Sequence, residues 1–138
     1  MRAAGWPRLL NNYLIEAQKR YVTTGFEWGR FDCCTFVSDW VLRCTGVDPM
    51  ADLRGKYSDR DQALALLEQG SLATRLIQAF GEPIHWAESQ RGDIAYRADL
   101  NACGIYFTSG SKKFALFLGD GGFSLHRPGE TGLAFRVE

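Results

Sequence analysis

The stretch Trp28-Gly29-Arg30-Phe31-Asp32-Cys33-Cys34-Thr35-Phe36 places an Asp and then a Cys at the start of a helix-like pattern. A thiol at a helix N-terminus sits near the positive end of the macrodipole, which favours the nucleophilic thiolate. Cys33 is therefore the candidate nucleophile. Asp32, a good N-cap type, is better read as the cap than as a catalytic acid. The Cys33 amide can supply one oxyanion donor. A cysteine nucleophile also needs a base within hydrogen-bond reach and a group that orients it. The chain holds two histidines, His85 and His126. Each also has the plain reading of a surface polar side chain. His126, the candidate base, follows the last aromatic-rich strand pattern. Separation in sequence does not forbid proximity to Cys33. Without a base, such a thiol forgoes about 10²–10⁴-fold in rate.

The other cysteines are Cys34, Cys44 and Cys103. Adjacent Cys33 and Cys34 point about 100° apart on a helix. There is no C-x-x-C, and a zinc or iron–sulfur site would need Cys103 to join from far along the chain. No metal site and no cofactor is expected. Cys44 and Cys103 read as buried small hydrophobes.

The elements that must position Cys33 follow from periodicity. Pro7 can open a helix whose apolar residues Leu9, Leu10, Tyr13, Leu14 and Ala17 recur at helical spacing to about Tyr21. A second helix starts after Asp32. Cys33, Phe36, Val37, Trp40, Val41 and Cys44 make one apolar stripe on it, and Gly46 stops it. Trp28 and Trp40 are expected to pack around the start of this helix. Ser58-Asp59-Arg60-Asp61 resembles a capping box for a helix to about Glu68, and Ser71 caps another to Phe80, ended by Gly81. From Pro83 the period shortens. Strands are expected at 93–96, 103–107, 114–118, 122–126 and 133–137, with turns at Ser109-Gly110-Ser111 and Gly119-Asp120-Gly121-Gly122. Helices first and strands second give an α+β fold, with N-terminal helices packed on a C-terminal antiparallel β-sheet.

At 138 residues with no linker or repeat, one domain spanning 1–138 is expected. Sixteen basic residues balance sixteen acidic ones, so the basic stripe of a nucleic-acid binder is absent. No run approaches the length of a membrane span, and no secretory leader is read at the N-terminus. The expected site of synthesis is a cytoplasm.

Several of these segments together carry a resemblance. They are Phe26-Glu27-Trp28-Gly29, Asp32-Cys33, Asp39-Trp40, Gly46-Val47-Asp48-Pro49, Arg54-Gly55-Lys56-Tyr57, Arg91-Gly92-Asp93-Ile94 and Gly104-Ile105-Tyr106. The chain resembles the NlpC-type cysteine peptidases, papain-like α+β domains that cut bacterial cell-wall peptides. It looks most like a phage-encoded branch known as phage tail or phage cell-wall peptidase proteins. The resemblance implies a papain-like NlpC-type fold, Cys33 as nucleophile, and a His at the start of the next strand as base. That position is Ala102, two before Gly104, or Lys113 if Phe114–Gly121 is the matching strand. Neither is a His. The expectation is therefore a structural phage or prophage tail protein, at the tail tip or baseplate, on a degenerate peptidase scaffold. Its partners would be other tail proteins, with no nucleic acid and no membrane insertion, and its location the virion, after synthesis in the host bacterial cytoplasm. The alternative is an active peptidoglycan endopeptidase or amidase, with Cys33 as nucleophile and His126 or His85 as base, acting during phage entry. A metal or redox protein using Cys33, Cys34 and Cys103 is the third reading.

Overall fold

The computed structural model describes the backbone of residues 1–138 and all side chains except those of Glu68, Glu130 and Thr131. Pro7 lies in the first turn of α1 (Trp6–Thr24), where its missing N–H leaves no helix bond unmade. Leu10, Tyr13, Leu14 and Ala17 face inward from it. α2 (Cys33–Thr45) is fixed at both ends. Asp32 and Thr35 form a reciprocal capping box, and left-handed Gly46 closes the helix by donating to the Leu42 carbonyl. Phe36 and Trp40 on its stripe are completely buried. Replacing either by Ala would cost about 3–5 kcal/mol.

Two shorter helices follow, α3 (Arg60–Ala65) and α4 (Leu72–Phe80). The cap of α3 is Asp59, whose carboxylate accepts from the Gln62 amide at 2.8 Å. Ser58 binds the Gln62 side chain instead, so the cap lies one residue later than the expected box. Ser71 makes no side-chain cap on α4. Asn101, thirty residues on, takes that place. Its Oδ1 accepts from the Leu72 amide at 3.0 Å and its Nδ2 donates to the Gly70 carbonyl at 2.8 Å.

The second half forms β1 (Ile84–His85), β2 (Ile94–Arg97), β3 (Ala102–Ser109), β4 (Lys112–Gly119), β5 (Gly122–His126), a single turn α5 (Pro128–Thr131) and β6 (Leu133–Phe135). The strands make one antiparallel sheet in the order β1-β6-β2-β3-β4-β5. The architecture is α+β, with helices in the N-terminal half and a six-stranded antiparallel sheet. β1 and α5 escape the periodicity reading because each is too short to show a period.

Alternation along the strands sorts the core into two faces. Ile94, Tyr96, Cys103, Ile105, Leu116, Leu118 and Phe135 pack against α1, α2 and α4. Ala95, Tyr106, Ala115, Phe117 and Ala134 form a smaller cluster on the other face. Among the described residues, no helix is long and apolar enough to cross a membrane.

Candidate functional site

The start of α2 is held by a dense set of bonds to buried Asp32. One carboxylate oxygen accepts from the Thr35 amide at 2.9 Å. The other accepts from the Gly29 amide at 2.8 Å and the Tyr57 hydroxyl at 2.5 Å. Burial, and then the Asp32 carboxylate, push the Tyr57 hydroxyl far above its ordinary range, so it stays a donor. Asp32 is thus a cap and an anchor, as its type and position suggest. Gly29 has φ +82°, and a Cβ there would lie 2.2 Å from the Tyr57 carbonyl oxygen. Only glycine lets the loop before α2 sit this close to the Arg54–Tyr57 segment. Arg54 ties that segment down through Asp48 at 2.6 Å and Asp39 at 2.7 Å.

Other sequence-singled residues also hold the scaffold. Trp40 lies seven residues into α2, about 10 Å along the axis from Cys33. Its indole N–H donates to the Gly92 carbonyl at 2.8 Å, so it secures the turn into β2, contrary to the expected place at the helix start. Trp28 does stay near Cys33, edge-to-face on Phe26 with centroids 5.0 Å apart.

Around Cys33 the structure gathers sulfur. The Cys33 and Cys34 sulfurs are 3.9 Å apart, and the Cys103 thiol donates to the Cys33 carbonyl at 3.6 Å. All three sulfurs lie within 4.8 Å of one another. Hydrogen bonding from the Cys103 thiol, and then from Cys34, holds the Cys33 thiol well below its ordinary pKa. The same cluster pushes Cys34 and Cys103 upward, with hydrogen bonding in the cluster as the leading cause for each. Of the three thiols, Cys33 is the one the cluster shifts towards the thiolate. Cys44 lies apart, buried in the core and raised by desolvation. Cys103 is buried as expected, but in a polar role that a small-hydrophobe reading does not anticipate. One signal could have found it. In Ala102-Cys103-Gly104-Ile105, alternation puts Cys103 on the same face as Ile105, towards α2.

That alternation also decides where a base would have to be. Ala102 packs with the outer-face cluster, while Cys103 occupies the inward position at the start of β3. The group that β3 turns towards Cys33 is therefore the thiol of Cys103. Lys113, the other candidate, bonds the Ser89 carbonyl at 2.6 Å and the Ser89 hydroxyl at 3.0 Å, tied to the turn after β1.

His126 borders the same cleft as Cys33 and is held there by its own neighbours, whereas His85 is placed apart. His126 is the direct cross-strand partner of Ala115 and stacks on Phe117, both on the outer face. Cys33 packs on the other face. Arg97 lies 2.9 Å from His126 Nδ1, and Ser124 Oγ lies 2.8 Å from Nε2. A guanidinium only donates, so Nδ1 accepts and Nε2 carries the proton. The lone pair of Nδ1 is thus engaged by Arg97. His85 is on edge strand β1, three inter-strand spacings from β3, about 14 Å. Its Nδ1 accepts from the Ala87 amide at 3.1 Å.

Cys33 and Cys34 border a cleft of about 420 Å³, walled by Phe26, Trp28, Leu64 and Leu67 and reaching Ala102 and His126. Chemically the site offers three clustered thiols, with Cys33 shifted towards the thiolate, and access from the cleft. It suits nucleophilic, redox or soft-metal chemistry better than base-assisted hydrolysis. No curated protein and no solved structure matches the chain. Residues 1–137 match a family described as a domain of unknown function, DUF6950, and the chain belongs to that family.

Proposed function

We propose that the protein is a structural component of a phage or prophage tail, at the tail tip or baseplate, built on an NlpC-type cysteine-peptidase scaffold without peptidase activity. The observation that carries the loss of activity is the identity of the group facing Cys33 from β3, which is the thiol of Cys103 and not an imidazole. Two further features support it. A capped helix headed by Cys33 lies against an antiparallel sheet, as the resemblance implies. The segments that carry the resemblance spend their side chains on holding that helix: Asp32 on Tyr57, Arg54 on Asp39 and Asp48, Trp40 on Gly92. The tail assignment itself rests on the resemblance.

The alternative, a peptidoglycan endopeptidase with Cys33 as nucleophile, is favoured by the stabilised thiolate and its cleft. One pair of experiments separates the two. Purified protein is incubated with muropeptides, beside Cys33→Ser. No cleavage above the Cys33→Ser background is expected, and cleavage lost in that variant overturns the proposal. Mass spectrometry of purified particles from a phage encoding this chain should find it in the virion. Its absence from particles sinks the tail assignment.

A further inference from the structure

We propose that Cys33, Cys34 and Cys103 form a three-thiolate binding site for a thiophilic d¹⁰ metal ion, Zn²⁺ or Cu⁺, whose remaining coordination position faces the cleft. The argument starts from spacing. With metal–sulfur bonds of about 2.3 Å, sulfurs sharing one ion are about 3.8 Å apart in a tetrahedron and about 4.0 Å in a trigonal plane. Cys33 and Cys34 already stand 3.9 Å apart, and Cys103 completes a triangle with no side above 4.8 Å. Small side-chain rotations close that difference, since a cysteine has one free χ angle.

The donor set is soft throughout. Among the described residues no His, Asp or Glu joins the three sulfurs. Asp32, the adjacent carboxylate, has both oxygens engaged by the Thr35 and Gly29 amides and the Tyr57 hydroxyl. All-thiolate donors select Zn²⁺ and Cu⁺ over the harder Mg²⁺ and Ca²⁺. Rigidity favours binding too. Two ligands sit on the first turn of a capped helix and the third on a central strand packed against it. The site is therefore formed before the ion arrives. Cys33 and Cys34 line the cleft, so an ion has a way in, and a water or an external ligand can complete its shell. Each ligating thiol gives its proton to solvent, so uptake releases protons. The proposal goes beyond the tail reading and stands or falls separately from it, because its readout is metal binding and not peptide cleavage or virion content.

The test uses the full chain, kept reduced with a phosphine under anaerobic conditions. Co²⁺ is titrated as a spectroscopic stand-in for Zn²⁺, Zn²⁺ then displaces it, and Cu⁺ is titrated in a separate arm. One ion per chain is expected, with intense thiolate-to-Co²⁺ charge transfer in the near ultraviolet. Cys33→Ser, Cys34→Ser and Cys103→Ser should each weaken binding by more than about 100-fold, the upper range for loss of an outer-sphere partner. Cys44→Ser, about 16 Å along α2 from Cys33, should leave it unchanged. Uptake of Cu⁺ but not Zn²⁺, with the same variant pattern, supports the site as a three-coordinate one. A measurement on the unsubstituted chain guards against variants that fail to fold: the bound ion should protect Cys33 and Cys34 from maleimide. The proposal is overturned if neither ion binds at micromolar concentration, if binding survives the three substitutions, or if maleimide labelling ignores the ion.

Discussion

What lowers the Cys33 thiol's pKa is a pair of other thiols and not an imidazole. In a cysteine–histidine pair the proton moves to a base that can later return it to a leaving group. Here the groups clustered beside the sulfur are thiols, which favour the anion and offer no imidazole-type proton acceptor. The metal-free chain should therefore show a nucleophile without a catalytic cycle. A group whose acid form is disfavoured in the fold titrates below its usual value, and only the thiolate reacts with iodoacetamide. The alkylation rate of Cys33 should thus reach half its plateau well below the ordinary thiol range, near pH 8.5. Cys103→Ala deletes the leading donor and should move that midpoint upward, while Cys44→Ala should not. Peptide mapping after timed alkylation between pH 5 and 9 measures both. Equal midpoints in the parent and Cys103→Ala would mean that the thiol neighbours do not set the reactivity.

At the level of elements, the site depends on how the loop before α2 meets the segment ending in Tyr57. Gly29 is a point of close approach, with a left-handed φ and a Tyr57 carbonyl oxygen only 2.2 Å from where an added Cβ would lie. Gly29→Ala must both strain its backbone and push the Tyr57 carbonyl away, and the Tyr57–Asp32 hydrogen bond goes with it. Strain and overpacking each cost about 1–3 kcal/mol. A loss of several kcal/mol in denaturant unfolding is expected, and a loss under about 0.5 kcal/mol would refute the close contact. Much of this scale was readable in the sequence, for physical reasons. The Asp32 cap, the stripe through Phe36, Val37, Trp40 and Cys44, and the Gly46 stop are local signals, and α2 begins and ends where they say. The turns at Gly110 and Gly119–Gly122 likewise fix the two hairpins. What was not readable is what comes from elsewhere in the chain. Asn101 caps α4 across thirty residues, β1 exists because β6 returns beside it, and Cys103 meets Cys33 only once β3 has paired. Spacing along the chain does not encode distances created by folding, so the thiol cluster was hidden, while the absence of a His at 102 and 113 could be read directly.

Across the whole molecule, the helical half and the sheet are joined at a point far from the thiols. Arg2 donates to the Val137 carbonyl at 2.8 Å, the Arg91 carbonyl at 2.6 Å and Asp93 Oδ1 at 2.7 Å. Asp93 in turn accepts from the Val137 amide at 3.1 Å and the Gln90 amide at 2.8 Å. Its side chain is 3 % exposed, and that of Arg2 is 12 % exposed. Arg2 also lies over the Trp6 ring, 4.1 Å from its centroid, at the start of α1. One side chain thus connects α1, the turn before β2 and the segment after β6. Such a buried pair adds little over an apolar one of the same shape, because desolvation offsets the attraction. Removing one partner is different, since it leaves the other charge buried and uncompensated at about 3–5 kcal/mol. Arg2→Ala should therefore lower Tm by roughly 10–15 °C for a chain of this size. Arg2→Ala combined with Asp93→Ala should recover part of that loss, because no charge is then stranded. Calorimetry on the three proteins decides it. A double variant no more stable than Arg2→Ala alone would show that the hydrogen bonds of Asp93 to Val137 and Gln90, and not its charge, carry the junction.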